Sequence, residues 1–469
     1  MPRHRRPTRP VSLRATLFAD SQSWLVGLAI FTLASFLLFG GGPNSPGLRV
    51  GIMLATGAAC VVAFGSLGGL RRLKELPLVE TLCWASLIAV PLLQLIPLPP
   101  SIWTALPGRG TETDILALAD QSSAWLPITL NRVATLSALA MTLALGGILL
   151  AGLTLSEKHI RRLLIAVIAC LALSFVVGAV QLSSSGRLLT FYPTSHQGLL
   201  LGFFSNRNHQ ALLIAVSILV VGYLIGTSRI PPRQRLAAFG FFAFIALAGA
   251  FGTASRMGLA LCVASSFAAP FLFLGATVAR KTYLLGAGGG LIAILTGLAT
   301  LSGTAGRALD RYGDVGGDYR WTIWERSVDL IGDYFPYGTG LGSFSDVYQK
   351  YERLDWLLPN YVNDAHNDYI QLAIEAGASG LILLMLIVVM LVRATIFTAS
   401  PIAGSRPGQT NLAKLGVAII LLILAHSVVD YPLRRPAIAA IFTLALALIF
   451  RQYRRHAAAS RNVPDLAAA

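Results

Sequence analysis

The segment Asn363-Asp364-Ala365-His366-Asn367-Asp368 sets one imidazole among amides and carboxylates, directly ahead of a long apolar run. An imidazole in the first turn of the helix that such a run forms feels the positive end of the helix dipole, which favours the neutral ring. A neutral imidazole takes a proton from an attacking hydroxyl; the plainer alternative is a capping segment at a water interface. Arginines recur in similar places: Arg207, Arg256, Arg320, Arg434 and Arg435. A guanidinium at a membrane edge is costly unless an anion answers it, and its fork matches phosphate bidentately. Snorkelling, or a local pair such as Asp430 with Arg434, accounts for any one of them. Five on one face point to a shared anionic ligand. The remaining histidines are weaker candidates. His4, His159 and His456 lie in basic segments, His196 in a loop, His209 beside Arg207, and His426 reads as a helix-packing hydrogen bonder. None has metal-ligand spacing with a carboxylate or thiol, so neither a metal site nor a cofactor is expected.

The elements that position these groups are membrane spans. Of 469 residues 55% are hydrophobic and 12% charged, with a mean hydropathy of +0.67; a soluble protein carries about 25% charged residues. Several apolar runs exceed the 18 or so residues that cross a bilayer. A soluble enzyme, a secreted disulfide scaffold and a disordered chain are excluded. Twelve spans are predicted, at 24–41, 49–70, 77–97, 133–154, 163–182, 209–226, 236–252, 257–279, 283–302, 369–392, 412–429 and 437–452. Cys60, Cys83, Cys170 and Cys262 fall inside them and give no redox clue. Lys and Arg crowd the N-terminus and alternate connections, which predicts both termini in the cytoplasm and a retained first helix. The net charge of +16 follows from this topology and from anionic lipid headgroups, and is no evidence for nucleic acid.

The expected organisation is all-α. A basic cytoplasmic N-terminus (1–23) precedes a membrane domain of spans one to nine (24–302). An external loop subdomain (303–368), spans ten to twelve (369–452) and a cytoplasmic tail (453–469) follow. The external stretch 98–132, with Trp103 and Trp125, reads as an interfacial segment lying along the membrane. The 303–368 loop is too long for a bare connector. Trp321, Trp324, Val328 and Ile331 recur at helical spacing, giving an amphipathic helix for the bilayer surface. Asp333-Tyr334-Phe335-Pro336 stops it, Gly338, Gly340 and Gly342 mark a flexible or tightly turning stretch, and a second helix runs from about Ser343 to Leu354.

Spacing from His366 is more specific. Gly377 and Gly380 follow at about three and four helical turns, on one helix face with it, where they serve packing. His366-Asn367, nine residues, Gly377, two residues, Gly380 resembles the H-[NSQ]-x9-G-x-x-[GTY] pattern of bacterial O-antigen ligases. Arg320-x3-Trp324 with Pro336-Tyr337-Gly338-x-Gly340-x-Gly342 is similar to the same loop of the wider ligase and polysaccharide polymerase family. Ser255-Arg256-x-Gly258 and Asn206-Arg207-Asn208 resemble its two earlier motifs. The resemblance covers residues 200–392 well and the rest through topology.

The resemblance implies a GT-C-like fold and a metal-independent, inverting glycosyl transfer on the periplasmic face of the inner membrane. The donor would be a glycan on undecaprenyl pyrophosphate. Arg256 and Arg320 match arginines used around the pyrophosphate, His366 matches the essential histidine, and Arg207 is carried over with them. Asn208 and Asn367 join the expected substrate-binding set, with Tyr337, Trp324 and Asp364 as sugar contacts. The acceptor stays open: lipid A-core for a ligase, a second lipid-linked glycan for a polymerase, a protein for a third branch. Arg434 and Arg435 would serve a second pyrophosphate, and Pro97-Leu98-Pro99-Pro100 resembles exopolysaccharide polymerases; both favour a polymerase slightly. A small-anion transporter is the alternative from another class, and it calls for repeats and mid-membrane charge that the spans lack.

Overall fold

Apolar runs in hydrocarbon leave the backbone one local way to satisfy its N–H and C=O groups, the α-helix, and the chain takes it. The computed structural model describes residues 13–42, 47–194, 196–275, 320–352, 362–399 and 407–461. Its principal helices are α1 (Leu13–Phe39), α2 (Gly47–Phe64), α3 (Leu78–Leu95), α4 (Arg132–Thr154), α5 (Glu157–Ser183) and α6 (Arg207–Gly226). They continue with α7 (Pro232–Gly252), α8 (Arg256–Ala269), α9 (Arg320–Tyr334), α10 (Asp368–Ala399), α11 (Pro407–Ser427) and α12 (Pro436–Arg461). Among the described residues nine helical stretches are long and apolar enough to cross a membrane, and shorter apolar helices run over Ser23–Phe39 and Asn411–Ser427. These coincide with the expected spans except the ninth, 283–302, which lies outside the described residues. No strand forms among those residues, only an isolated bridge between Leu98 and Leu126.

α6 and α12 are the most enclosed helices. Small residues let backbones close on one another: Gly57 on Ala144 between α2 and α4, Gly152 on Ala447 between α4 and α12. At one end of the bundle, arginines satisfy carbonyls that helix termini leave open. Arg72 donates to the carbonyls of Leu153 and Thr154 at 2.8 Å each. Arg451 reaches those of Gly152 and Leu155 at 2.6 Å each, and Arg161 that of Leu224 at 3.2 Å.

The other end carries the polar connections, and there two distant segments build one cap. Residues 98–131, the stretch expected to be an interfacial segment, pack against the rest of this cap. Trp103 is 1% exposed and donates its indole N–H to the Ala124 carbonyl at 2.9 Å, although Trp125 stays exposed. The segment docks on residues 320–352: Leu130 N donates to Thr339 O at 2.8 Å, Asn131 to Asp346 at 2.5 Å, and Lys350 pairs with Glu112 at 2.5 Å. The expected amphipathic helix is present as α9, but the face it buries is Ile323, Ser327, Leu330 and Tyr334. Trp321 and Val328, from the stripe predicted to be apolar, are the exposed pair. The second helix covers only Phe344–Tyr348. Ile323, Leu330, Tyr334, Phe344, Val347 and Ile374 form a small core apart from that of the bundle.

Candidate functional site

The site forms where α10 begins. Asn367 caps it, its Oδ1 accepting from the backbone N–H of Tyr369 (2.9 Å) and Ile370 (3.1 Å). His366 therefore precedes the helix instead of occupying its first turn, and its φ is +51°. A left-handed conformation costs a non-glycine residue roughly 1–2 kcal/mol, so the surroundings must hold it. They do so through Ala365, whose N–H donates to Gln371 Oε1 (3.0 Å) and whose carbonyl accepts from Trp324 Nε1 (2.9 Å).

α10 then breaks at Gly377, with φ +53° and ψ −135°, so His366, Gly377 and Gly380 do not share one helix face. A Cβ at Gly377 would run into the Pro336 carbonyl, and packing alone does not account for this glycine. The break frees carbonyls for the external loop. Thr339 N donates to Ile374 O at 3.0 Å, Gly340 N to Glu375 O at 2.9 Å, and Ala378 N to Pro336 O at 2.9 Å. Gln94, at the end of α3, closes the junction by donating to Glu375 O (2.8 Å) and accepting from Leu341 N (3.0 Å).

His366 faces a buried carboxylate. Its Nδ1 lies 3.4 Å from Asp430 Oδ1, with the imidazole side chain 27% exposed and Asp430 at 0%. Asp430 also accepts from Asn208 Nδ2 (2.6 Å), Asn206 Nδ2 (3.2 Å) and the Tyr431 N–H (3.0 Å). Burial pushes the Asp430 carboxyl up, but the imidazoles around it, His366 first, outweigh that and hold it well below the usual carboxylate range. A carboxylate beside Nδ1 favours the tautomer with its proton on that side, which leaves Nε2 as the acceptor. His209 Nε2 lies 3.9 Å from Asp430, yet His209 and His426 are both fully buried. Of the three imidazoles, His366 is the one that reaches solvent. The Tyr431 ring stands edge-on to His366 and His209, with centroids 4.8 and 5.1 Å away.

Asp430 does not pair with Arg434. That guanidinium binds Glu375 and lies 3.5 Å from Asp368, while Arg435 binds Asp364 at 2.6 Å and stacks over Tyr431. Burial works against the charge of Arg435, but Asp364, Tyr431 and Asp430 together outweigh it and raise the guanidinium above its ordinary value. Arg207, Arg256 and Arg320 each open a helix, where the dipole adds to their positive charge. Asn206 caps the first (2.9 Å to Asn208 N) and Ser255 the second (3.2 Å to Gly258 N). Arg320 lies within electrostatic reach of His426. Arg256 and Tyr337 are exposed at this end of the bundle. Among the described residues no three of His, Cys, Asp and Glu are grouped to hold a metal ion.

The structure thus brings His366, Asp364, Asn367, Trp324, Asn208, Arg434 and Arg435 into one network. It adds Asp430, Tyr431, Gln371, Glu375 and Gln94, which sequence reasoning passed over. Glu375, a buried carboxylate inside an apolar run, was the available signal, since such a charge points to a site. Residues 241–385 match the family model for O-antigen ligase. That stretch of the chain is similar to an O-antigen ligase domain. The curated proteins include no match to it. The O-antigen ligase match takes in Arg256, Arg320, Trp324, Tyr337, Asp364, His366, Asn367 and the Gly377 break. Asp430, Arg434 and Arg435 lie beyond it, in the turn between α11 and α12 that sets a carboxylate beside His366.

Proposed function

We propose that the chain is a glycosyltransferase at the periplasmic face of the bacterial inner membrane. It moves a glycan from undecaprenyl pyrophosphate to an acceptor hydroxyl, as O-antigen ligases and surface polysaccharide polymerases do. The observation that carries this reading is the solvent-reaching His366 backed by the buried carboxylate of Asp430, at the end of an all-helical bundle where Arg207, Arg256 and Arg320 open helices. The same helical frame supports a GT-C-like description.

In the proposed step the acceptor oxygen attacks the anomeric carbon from the face opposite the diphosphate, inverting it. His366 Nε2 takes the hydroxyl proton, and Asp430 stabilises the imidazolium that forms. The bond from the anomeric carbon to the diphosphate oxygen breaks, and its electron pair stays on that oxygen. Arg256 and Arg320 hold the growing negative charge, with Arg207 beside them. Arg434 and Arg435 already answer Glu375, Asp368 and Asp364, so their part is to shape the site. Trp324 and Asp364 support the His366 loop, and Tyr337 remains for the sugar.

The test uses the full chain in lipid nanodiscs with an undecaprenyl-pyrophosphate-linked glycan, a chelator, and either lipid A-core or a second lipid-linked glycan. Wild type releases glycan from the lipid, and His366→Ala and Arg256→Ala do so far more slowly. A ladder of lengths identifies a polymerase, and a single transfer to lipid A-core a ligase. Failure with every donor and acceptor, together with protein-dependent anion uptake into liposomes, replaces the reading with the carrier.

A further inference from the structure

Gln371 ties the loop that carries His366 to the rest of the site. It lies in the first turn of α10, is 3% exposed, and uses its amide in three directions. Oε1 accepts from Ala365 N at 3.0 Å, and Nε2 donates to Asp364 Oδ1 at 3.3 Å and to Glu375 Oε1 at 3.1 Å. Glu375 carries the link onward, accepting from Phe344 N at 3.3 Å and from the Arg434 guanidinium. One side chain therefore grips the residue before His366, joins two buried carboxylates, and reaches through Glu375 to the external loop. A carboxamide offers two donors and an acceptor without charge. A carboxylate in its place would face Asp364 and Glu375 with nothing to donate.

We propose that Gln371 is a positioning residue for His366. Its amide holds Asp364-Ala365 in place, so that the left-handed residue 366 keeps its ring against Asp430 and open to the acceptor. Its effect on catalysis rests on the glycosyltransferase reading, whereas its hold on His366 does not. The charged groups concerned are Asp364 and Glu375 in direct contact, Arg435 and Arg434 behind them, Asp368 behind Arg434, and His366 itself.

The experiment compares wild type, Gln371→Leu and Gln371→Glu as full chains in nanodiscs. Carbethoxylation of His366 by diethyl pyrocarbonate is followed on its own peptide by mass spectrometry across pH. Losing the buried bonds frees the loop and raises the His366 rate about 10-fold in Gln371→Leu, relative to wild type at the same pH. Gln371→Glu behaves the same at about pH 8 but returns toward wild type on acidification, because the new carboxyl gains a proton to donate. Gln371→Leu shows no such return. That reversal separates positioning from a general loss of folding, which acid would not repair. In the transfer assay, Gln371→Leu lowers kcat about 10-fold and leaves KM for the lipid-linked donor unchanged. His366 reactivity equal to wild type in both variants at every pH overturns the proposal. If wild type transfers nothing while His366 reactivity responds as described, the glycosyltransferase reading falls and the positioning role stands.

Discussion

His366 Nδ1 faces Asp430 Oδ1 at 3.4 Å, and the two residues come from different connections of the bundle, one before α10 and one after α11. The imidazole gains a fixed orientation, and the carboxylate gains a partner that reaches solvent. Removing either takes from the other its part in proton transfer. His366→Ala and Asp430→Asn should each lower kcat for glycan transfer by about 100-fold or more. The double variant should be no slower than His366→Ala alone, because the two act as one unit. Single-turnover kinetics on the three proteins checks this.

Arg256→Ala and Arg320→Ala should each reduce kcat/KM for the lipid-linked donor by about 10- to 100-fold, the worth of one or two charged hydrogen bonds. Lysine at either position should restore only part of this, since an ammonium cannot bind a diphosphate oxygen pair as a fork. Donor titrations against each variant measure it.

Arg434 is the counter-charge for Glu375 and Asp368. Arg434→Met should destabilise the protein by roughly 3–5 kcal/mol, because it strands buried carboxylates. Adding Glu375→Gln should recover part of that loss. Thermal unfolding in detergent, followed by tryptophan fluorescence, checks both.

Gly377→Ala should lower the yield of folded protein sharply, since its backbone lies where only glycine is at ease and a Cβ would meet the Pro336 carbonyl. Gly332→Ala is the control. Its Cβ would meet nothing within 4 Å, and the change should be neutral or stabilising by about 0.5–1 kcal/mol. Size-exclusion profiles and melting temperatures distinguish the two.

The depressed Asp430 carboxyl sets a pH dependence. An unfolded aspartate titrates near about 3.9, so its contribution is fully present above that value and is lost as the pH falls through the lower, folded pKa. Melting temperatures taken from neutral pH down to about pH 3 should show an acid limb, flattened in Asp430→Asn.

The spans, the polar end and the motif around His366 were legible because hydropathy and short spacing are local properties. The tight turning at Gly338, Gly340 and Gly342 was legible for the same reason, and all three have positive φ. The break at Gly377 was not, since a glycine inside an apolar run reads as packing until the loop that needs the freed carbonyls of Ile374 and Glu375 is in place. Asp430 stayed hidden behind a nearer arginine, Arg434, whose partners are Glu375 and Asp368 on another helix. α9 illustrates a third limit. Two of its faces carry apolar side chains, and only docking decided that Ile323 and Leu330 go inward while Trp321 and Val328 face out.

The turn between α11 and α12 supplies Asp430, Arg434 and Arg435 together. A ribosome feeding this chain into a membrane delivers α10 first, with Asp368 and Glu375 already aboard and their cations still untranslated. Those first turns of α10 must wait at the aqueous edge until the closing hairpin of α11 and α12 arrives. A chain interrupted before that hairpin would hold Asp368 and Glu375 without the guanidinium that answers them.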